Sequence, residues 1–284
     1  MLCDIFMTFK DRDELFERSL CSFYENTDPS LYRLTLVCDG GYVPEFITDC
    51  DNLGCMYDGV SKIDHILLHR DNIGLGPSIN QALTHVDALN QYYSHPQVGD
   101  PQKVSEFVCM CQDDLLYTQH WLEKMAKFFT LFEYNKNLGF ASCIECIEHE
   151  MCEDLGEIQG TRLITKDWIR AAMMFGRRDY WMSMFPIPML DGETGRKRAK
   201  PNNGMGSGVD WHFIRQHENS VCKTGRTNLV LPGVCQHAGF AYSTWLDREM
   251  PESGEDKEMM MHHIADDLTR EAQRLGMYDE DPWD

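Results

Sequence analysis

Residues Phe107 to Cys111 form an apolar run rich in strand formers that stops at Gln112-Asp113-Asp114, and a helix-like segment begins near Gln119. The same arrangement recurs along the first half of the chain. Cys3 to Phe9, Leu34 to Cys38 and His65 to Leu68 are short apolar runs, each closed by a polar turn. Leu15, Phe16, Leu20 and Phe23 stand near helical spacing and predict a helix over Asp13 to Glu25. A second helix is expected from about Pro77 to Leu89, with proline in its first turn, and a third from Trp121 to Tyr134. Gly139 to Ile147 reads as a fifth strand. Strands alternating with helices imply βαβ units and a mainly parallel sheet with helices against its faces. Open sheets of that kind bind ligands outside the carboxyl ends of their strands, so acids at strand ends direct attention to one rim.

Two adjacent carboxylates at a strand end repel each other unless a positive charge sits between or beside them. Asp113-Asp114 therefore reads either as a helix-capping pair or as ligands of a divalent cation that carries a phosphate with it. Asp39 stands at the end of the second run, before Gly40-Gly41, where a turn-forming role competes with a binding one. The chain contains neither the Gly-x-Gly-x-x-Gly turn of dinucleotide enzymes nor the Gly-x4-Gly-Lys-Ser/Thr phosphate loop. Any nucleotide must be held in another way.

Composition narrows the partners. A net charge of -20 argues against duplex nucleic acid and anionic membranes, which need clustered Lys and Arg. No apolar run approaches the roughly 20 residues that span a bilayer, and the N-terminus lacks the charged region of a signal peptide. A cytoplasmic protein is expected. Of the 12 cysteines, Cys38, Cys109, Cys111 and Cys143 lie inside apolar runs and behave as small reduced hydrophobes. The even spacing Cys143-x2-Cys146-x2-His149-x2-Cys152 fits core packing better than zinc, whose ligands come in separated close pairs.

The second half is less regular. Trp168 to Trp181 mixes aromatics with Arg170, Arg177 and Arg178, rare cations in an otherwise acidic chain. A polar, basic loop, Asp191 to Asn203, leads through Gly204-Met-Gly-Ser-Gly to Asp210-Trp211 and a helix-like stretch. Asp210, an acid at a helix start, fits an N-cap. Leu229 to Val234 predicts a short strand before Cys235-Gln-His237-Ala-Gly239. Residues 1–246 then form one domain, with about 1–150 as a nucleotide-binding half. Residues 247–284 are an acidic helical extension.

The ordered set Thr8-Phe9-Lys-Asp-Arg12, Val37-Cys-Asp39-Gly40, Arg70-Asp-Asn72-Ile-Gly74 with Asn80, Gln112-Asp113-Asp114, Asp210-Trp211 and His237-Ala-Gly resembles the GT-A fold glycosyltransferases of family 2. The resemblance spans roughly residues 3 to 240 and carries Gln112 where the family's Asp-x-Asp element has its first acid. It implies an inverting, metal-dependent enzyme that moves a sugar from a nucleoside diphosphate, UDP for preference, to an acceptor hydroxyl. By the same likeness Asp114 and His237 would ligate Mn²⁺ or Mg²⁺, and Asp113 would lie near the ribose or the metal's waters. Asp39 would accept from a pyrimidine imide N–H, with Thr8, Arg70 and Asn72 around the nucleotide. Asp210 would be the general base and more than an N-cap, Trp211 would stack on a sugar face, and Arg177 would hold the diphosphate or shape the acceptor side. The acceptor would be a glycan, a glycoprotein or a lipid-linked sugar, met by residues 151–246 as the acceptor and catalytic half. Two other classes fit a similar sheet: a nucleotidyltransferase that makes sugar nucleotides, and a binding module without turnover. The first usually carries a glycine-rich loop straight after its first strand, and Thr8 to Asp13 has no glycine.

Overall fold

The computed structural model describes residues 2–10, 12–48, 63–144, 151–166, 169, 172–187 and 226–237. Asp210, Trp211, the basic loop and the acidic extension lie outside the described residues.

Strand β1 (Cys3–Phe9) is buried along its whole length and pairs in parallel with β2 (Tyr32–Cys38) on one side and β4 (Phe107–Gln112) on the other. Beyond β2 lies β3 (His65–Leu68), also parallel. Side chains alternate between two cores, as the two-residue strand period requires. Cys3, Ile5, Met7 and Phe9 of β1, with Phe107, Cys109 and Cys111 of β4, face α1 (Asp13–Asn26) and α4 (Trp121–Phe132). Phe6, Val108 and Met110 face the opposite side, against α3 (Leu75–Ser94) and α5 (Arg178–Ser183). Helix α2 (Glu45–Thr48) is a single turn after β2.

The helices form where the apolar spacing predicts, a few residues longer or shorter at their ends. Helix α1 opens with Asp13 and Glu14, acids that suit the positive end of the helix dipole, and buries Phe16, Leu20 and Phe23. Helix α3 follows Gly74, whose φ of 88° is open to glycine and costly for other residues.

The second half departs from the expected parallel pattern. Strand β6 (Leu138–Ser142) is shorter than the predicted Gly139 to Ile147, and β9 (Met173–Arg177) is inserted antiparallel between β4 and β6. The sheet order is β3-β2-β1-β4-β9-β6-β10-β8-β7, parallel from β3 to β4 and mixed beyond it. Strand β10 (Thr227–Val230) pairs parallel with β6 and antiparallel with β8 (Thr161–Lys166). Strand β7 (Met151–Ile158) forms a hairpin with β8 through Gln159 and Gly160, both at positive φ, the geometry of a tight hairpin turn. Sequence periodicity did not reveal this hairpin, because β7 is exposed on both faces and carries no alternation. Trp181 of α5 is fully buried and donates from its indole nitrogen to Val108 O at 3.0 Å, fixing α5 beneath the β4–β9 junction.

A second, two-stranded sheet pairs β5 (Leu115–Tyr117) with β11 (Cys235–His237), antiparallel, with His237 opposite Leu115. The predicted strand over Leu229 to Val234 thus ends at Val230, and a turn at Pro232-Gly233 leads into β11, which delivers the histidine.

Candidate active site

The parallel register sets Thr8 beside both Val37 and Gln112, so β1, β2 and β4 end on one rim. Asp113 and Asp114 follow directly and are 1% and 2% exposed. Antiparallel pairing of β5 with β11 then folds His237 back over them. His237 Nε2 lies 3.3 Å from Asp114 Oδ1, close enough for an ion pair but without hydrogen-bond alignment, which leaves Oδ1 a buried carboxylate oxygen with no hydrogen bond.

The positive charge demanded by the two acids is present, and it is Arg12. Its Nη1 donates to Asp114 Oδ2 at 2.9 Å, its Nε to Asp113 Oδ2 at 3.3 Å, and its Nη2 closes a further ion pair with Asp113 Oδ1. Burial pushes the Asp113 carboxyl up to about 7 against the pull of Arg12. For Asp114 burial acts in the same sense but is outweighed by His237 and Arg12, which together hold it down at about 2. The two acids titrate as a pair, with Asp114 the one that stays ionised.

Asp39 is also on this rim, and its carboxylate is turned inward. It accepts from the backbone N–H groups of Ile73 and Gly74, each at 2.8 Å, and its Oδ1 meets His69 Nδ1 at 3.1 Å. His69 is held at its other ring nitrogen by Gln81 Oε1 at 2.7 Å. Asn72 Oδ1 accepts from Gly74 N, closing the turn locally, while the Arg70 side chain is exposed above it. Asp39 and Asn72 therefore shape the loop between β3 and α3. Asn80 clasps the backbone of Ile187 in both directions, at 2.8 and 2.7 Å, and so fixes the point where the chain leaves toward Asp210.

One sequence expectation is corrected. Arg177 does not reach this rim. Because β9 runs antiparallel to β4, Arg177 pairs with Phe107 at the amino end of β4, roughly 17 Å along the strand from Gln112. There it makes a two-pronged contact with Glu133, pairs with Glu106 and lies over the Phe107 ring at 4.5 Å. Of the zinc spacing, Cys143 is buried and Cys152 exposed, and the two middle residues are outside the described set.

Arg12 and His69 were not singled out by the sequence. The signal for Arg12 was there: a carboxylate pair needs a cation, and the strand beside β4 is followed by Lys10 and Arg12.

Among the described residues no group of three or more His, Cys, Asp or Glu side chains is placed to hold a metal ion. The two that face each other do fit one. Adjacent ligands of an octahedral ion with bonds near 2.1 Å are about 3 Å apart, close to the 3.3 Å between Asp114 Oδ1 and His237 Nε2. Asp114 Oδ1 has no hydrogen bond to give up.

No protein-family model matches the chain, and no curated protein matches it in sequence. Solved structures do. A mannosyltransferase, PcManGT from Pyrobaculum calidifontis in complex with GDP-Man and Mn²⁺, superposes with a TM-score of 0.53 at 13% identity, over 99% of this chain and 65% of that one. The chain thus spans just under two thirds of that protein's length. TarS of S. aureus (residues 1–349) is matched with a TM-score of 0.46 at 12% identity, over 97% of this chain and 69% of that one. The same TarS segment in complex with UDP-GlcNAc gives 0.47 at 11%, over 97% and 70%. At TM-scores below 0.5 the TarS likeness is too loose to bear on topology. The chain has the fold of the mannosyltransferase: a large mixed sheet, parallel from β3 to β4, flanked by helices.

Proposed function

We propose that the protein is an inverting glycosyltransferase of the GT-A type, akin to family 2, that transfers a sugar from a nucleoside diphosphate to an acceptor hydroxyl. The observation that carries this reading is the meeting of Asp114 and His237, far apart in sequence, at 3.3 Å on the rim where β1, β2 and β4 end. In the reading, Asp114 and His237 hold Mn²⁺ or Mg²⁺, as the buried, unbonded Oδ1 allows. Bound there, the ion would neutralise charge developing on a diphosphate leaving group. Asp113 faces the ribose side. Thr8 and Arg70 border the nucleotide, with Asp39 and Asn72 forming the wall of its pocket. Asp39 Oδ2 accepts one backbone hydrogen bond and retains a lone pair for an imide N–H, which favours UDP. Asp210 takes the acceptor proton and Trp211 packs on a sugar face. The acceptor is a glycan, a glycoprotein or a lipid-linked sugar met on the cytoplasmic side. No helix among the described residues is long and apolar enough to cross a membrane.

Titration calorimetry with UDP, with and without Mn²⁺, tests the reading. Mn²⁺ should tighten UDP binding in the parent protein and have no effect in Asp114→Ala. Asp210→Asn should keep UDP affinity while transfer falls by about 10²-fold or more. UDP binding that ignores both Mn²⁺ and Asp114→Ala would sink the metal role.

A further inference from the structure

We propose that Arg12 competes with the divalent cation for the Asp113-Asp114 pair, so that cation and nucleotide enter the site together and not singly. This rests on the metal reading of Asp114 and goes beyond it by assigning a role to a residue outside the ligand set.

The guanidinium satisfies both acids at once. It donates to Asp114 Oδ2 at 2.9 Å and to both oxygens of Asp113, and these two residues are its only side-chain partners among the described residues. A cation arriving alone would meet carboxylates already neutralised in part. It would also force two positive charges into one buried site, which costs several kcal/mol per unpaired ion. Arg12 is less enclosed than the acids. Its side chain is 19% exposed against 2% for each carboxylate. Its backbone is anchored, since Arg12 O accepts from Phe16 N at 2.9 Å at the start of α1. The head group can therefore swing on a fixed base. A planar guanidinium that releases a carboxylate is matched in geometry to a phosphate, which it grips in the same two-pronged way. A diphosphate supplies the anion that Arg12 would otherwise lack once the cation takes Asp114. Each ligand thus removes the cost that the other would meet alone, which is positive coupling between two binding events.

The test is titration calorimetry with Mn²⁺ alone, and with UDP at saturating Mn²⁺, on the parent protein, Arg12→Gln and Arg12→Lys. Arg12→Gln should bind Mn²⁺ alone about tenfold more tightly than the parent, and UDP with Mn²⁺ about tenfold more weakly, a coupling of ordinary size. Opposite signs are the diagnostic: an arginine that merely organises the acids would weaken both when removed. Arg12→Lys keeps the charge but loses the fork, and should move both affinities the same way by a smaller factor. It also serves if Arg12→Gln does not fold. Mn²⁺ affinity unchanged or lowered in the folded variants overturns the role of Arg12 and leaves the metal reading standing. Mn²⁺ binding absent from every variant, with and without UDP, removes the metal reading and this proposal with it.

Discussion

At the scale of single residues, the described chain places its charges in two kinds of setting. Asp114 and Asp113 are buried with a cation on one side and a histidine on the other, the setting expected of acids that handle a charged ligand. His85 shows the other kind. Its ring meets His65 edge to face with centroids 4.6 Å apart, and its Nε2 is buried with no hydrogen bond. Burial, then the neighbouring His65, lowers its pKa from the ordinary value near 6.5. The folded state therefore binds a proton less readily than the unfolded chain. Stability from this site is fully present above pH 6.5 and declines as the pH falls below it. His85→Phe keeps the ring contact and removes the proton site. On acidification from pH 7 to pH 5.5 the denaturant midpoint of the variant should fall less than that of the parent. Parallel decline would show that His85 does not contribute.

At the scale of elements, close approach between strands decides what fits. A methyl group added at Gly176 of β9 would stand 2.8 Å from the Phe140 ring and 3.2 Å from Gly139 O of β6. Phe140 cannot swing aside, because it is packed against Tyr180 and Trp181 with ring centroids 4.9 and 4.8 Å away. Replacing glycine by alanine gains at most about 1 kcal/mol from the unfolded chain, whereas overpacking a core costs about 1–3 kcal/mol. Gly176→Ala should therefore lower stability by roughly 1–2 kcal/mol in urea unfolding, and an unchanged or raised midpoint would show that the β6–β9 contact has slack. The direction of β9 also explains the misplacement of Arg177. An arginine at the end of a strand reads as a rim residue, and only the antiparallel pairing with β4 shows that this end is the far one.

At the scale of the molecule, the candidate rim has a counterpart at the amino ends of the same strands, where charged groups tie the fold together. Asp4 of β1 is 2% exposed and accepts from Arg33 Nε of β2 at 2.6 Å, Asn90 of α3 at 2.8 Å and Ser105 before β4 at 2.5 Å. Four segments meet on one carboxylate. Asp4→Ala would leave Arg33 buried without its partner and should cost about 3–5 kcal/mol, read as a fall in the urea midpoint with no loss of Mn²⁺-dependent UDP binding while the protein remains folded. A loss under 1 kcal/mol would mean that water replaces the carboxylate. The strand–helix alternation of the first half, its rim acids and the order of its motifs were legible from residue types alone, because hydrophobic period and turn chemistry are local properties. Local chemistry also made Asp113-Asp114 a pair in need of a cation. Which cation answered, that His237 arrives through a two-stranded pairing with β5, that Asp39 turns inward to His69 and the Ile73–Gly74 backbone, and that Arg177 stands at the far rim were all decided by tertiary structure. Strand direction, register and the aim of a side chain depend on residues distant in sequence, and no local period encodes them.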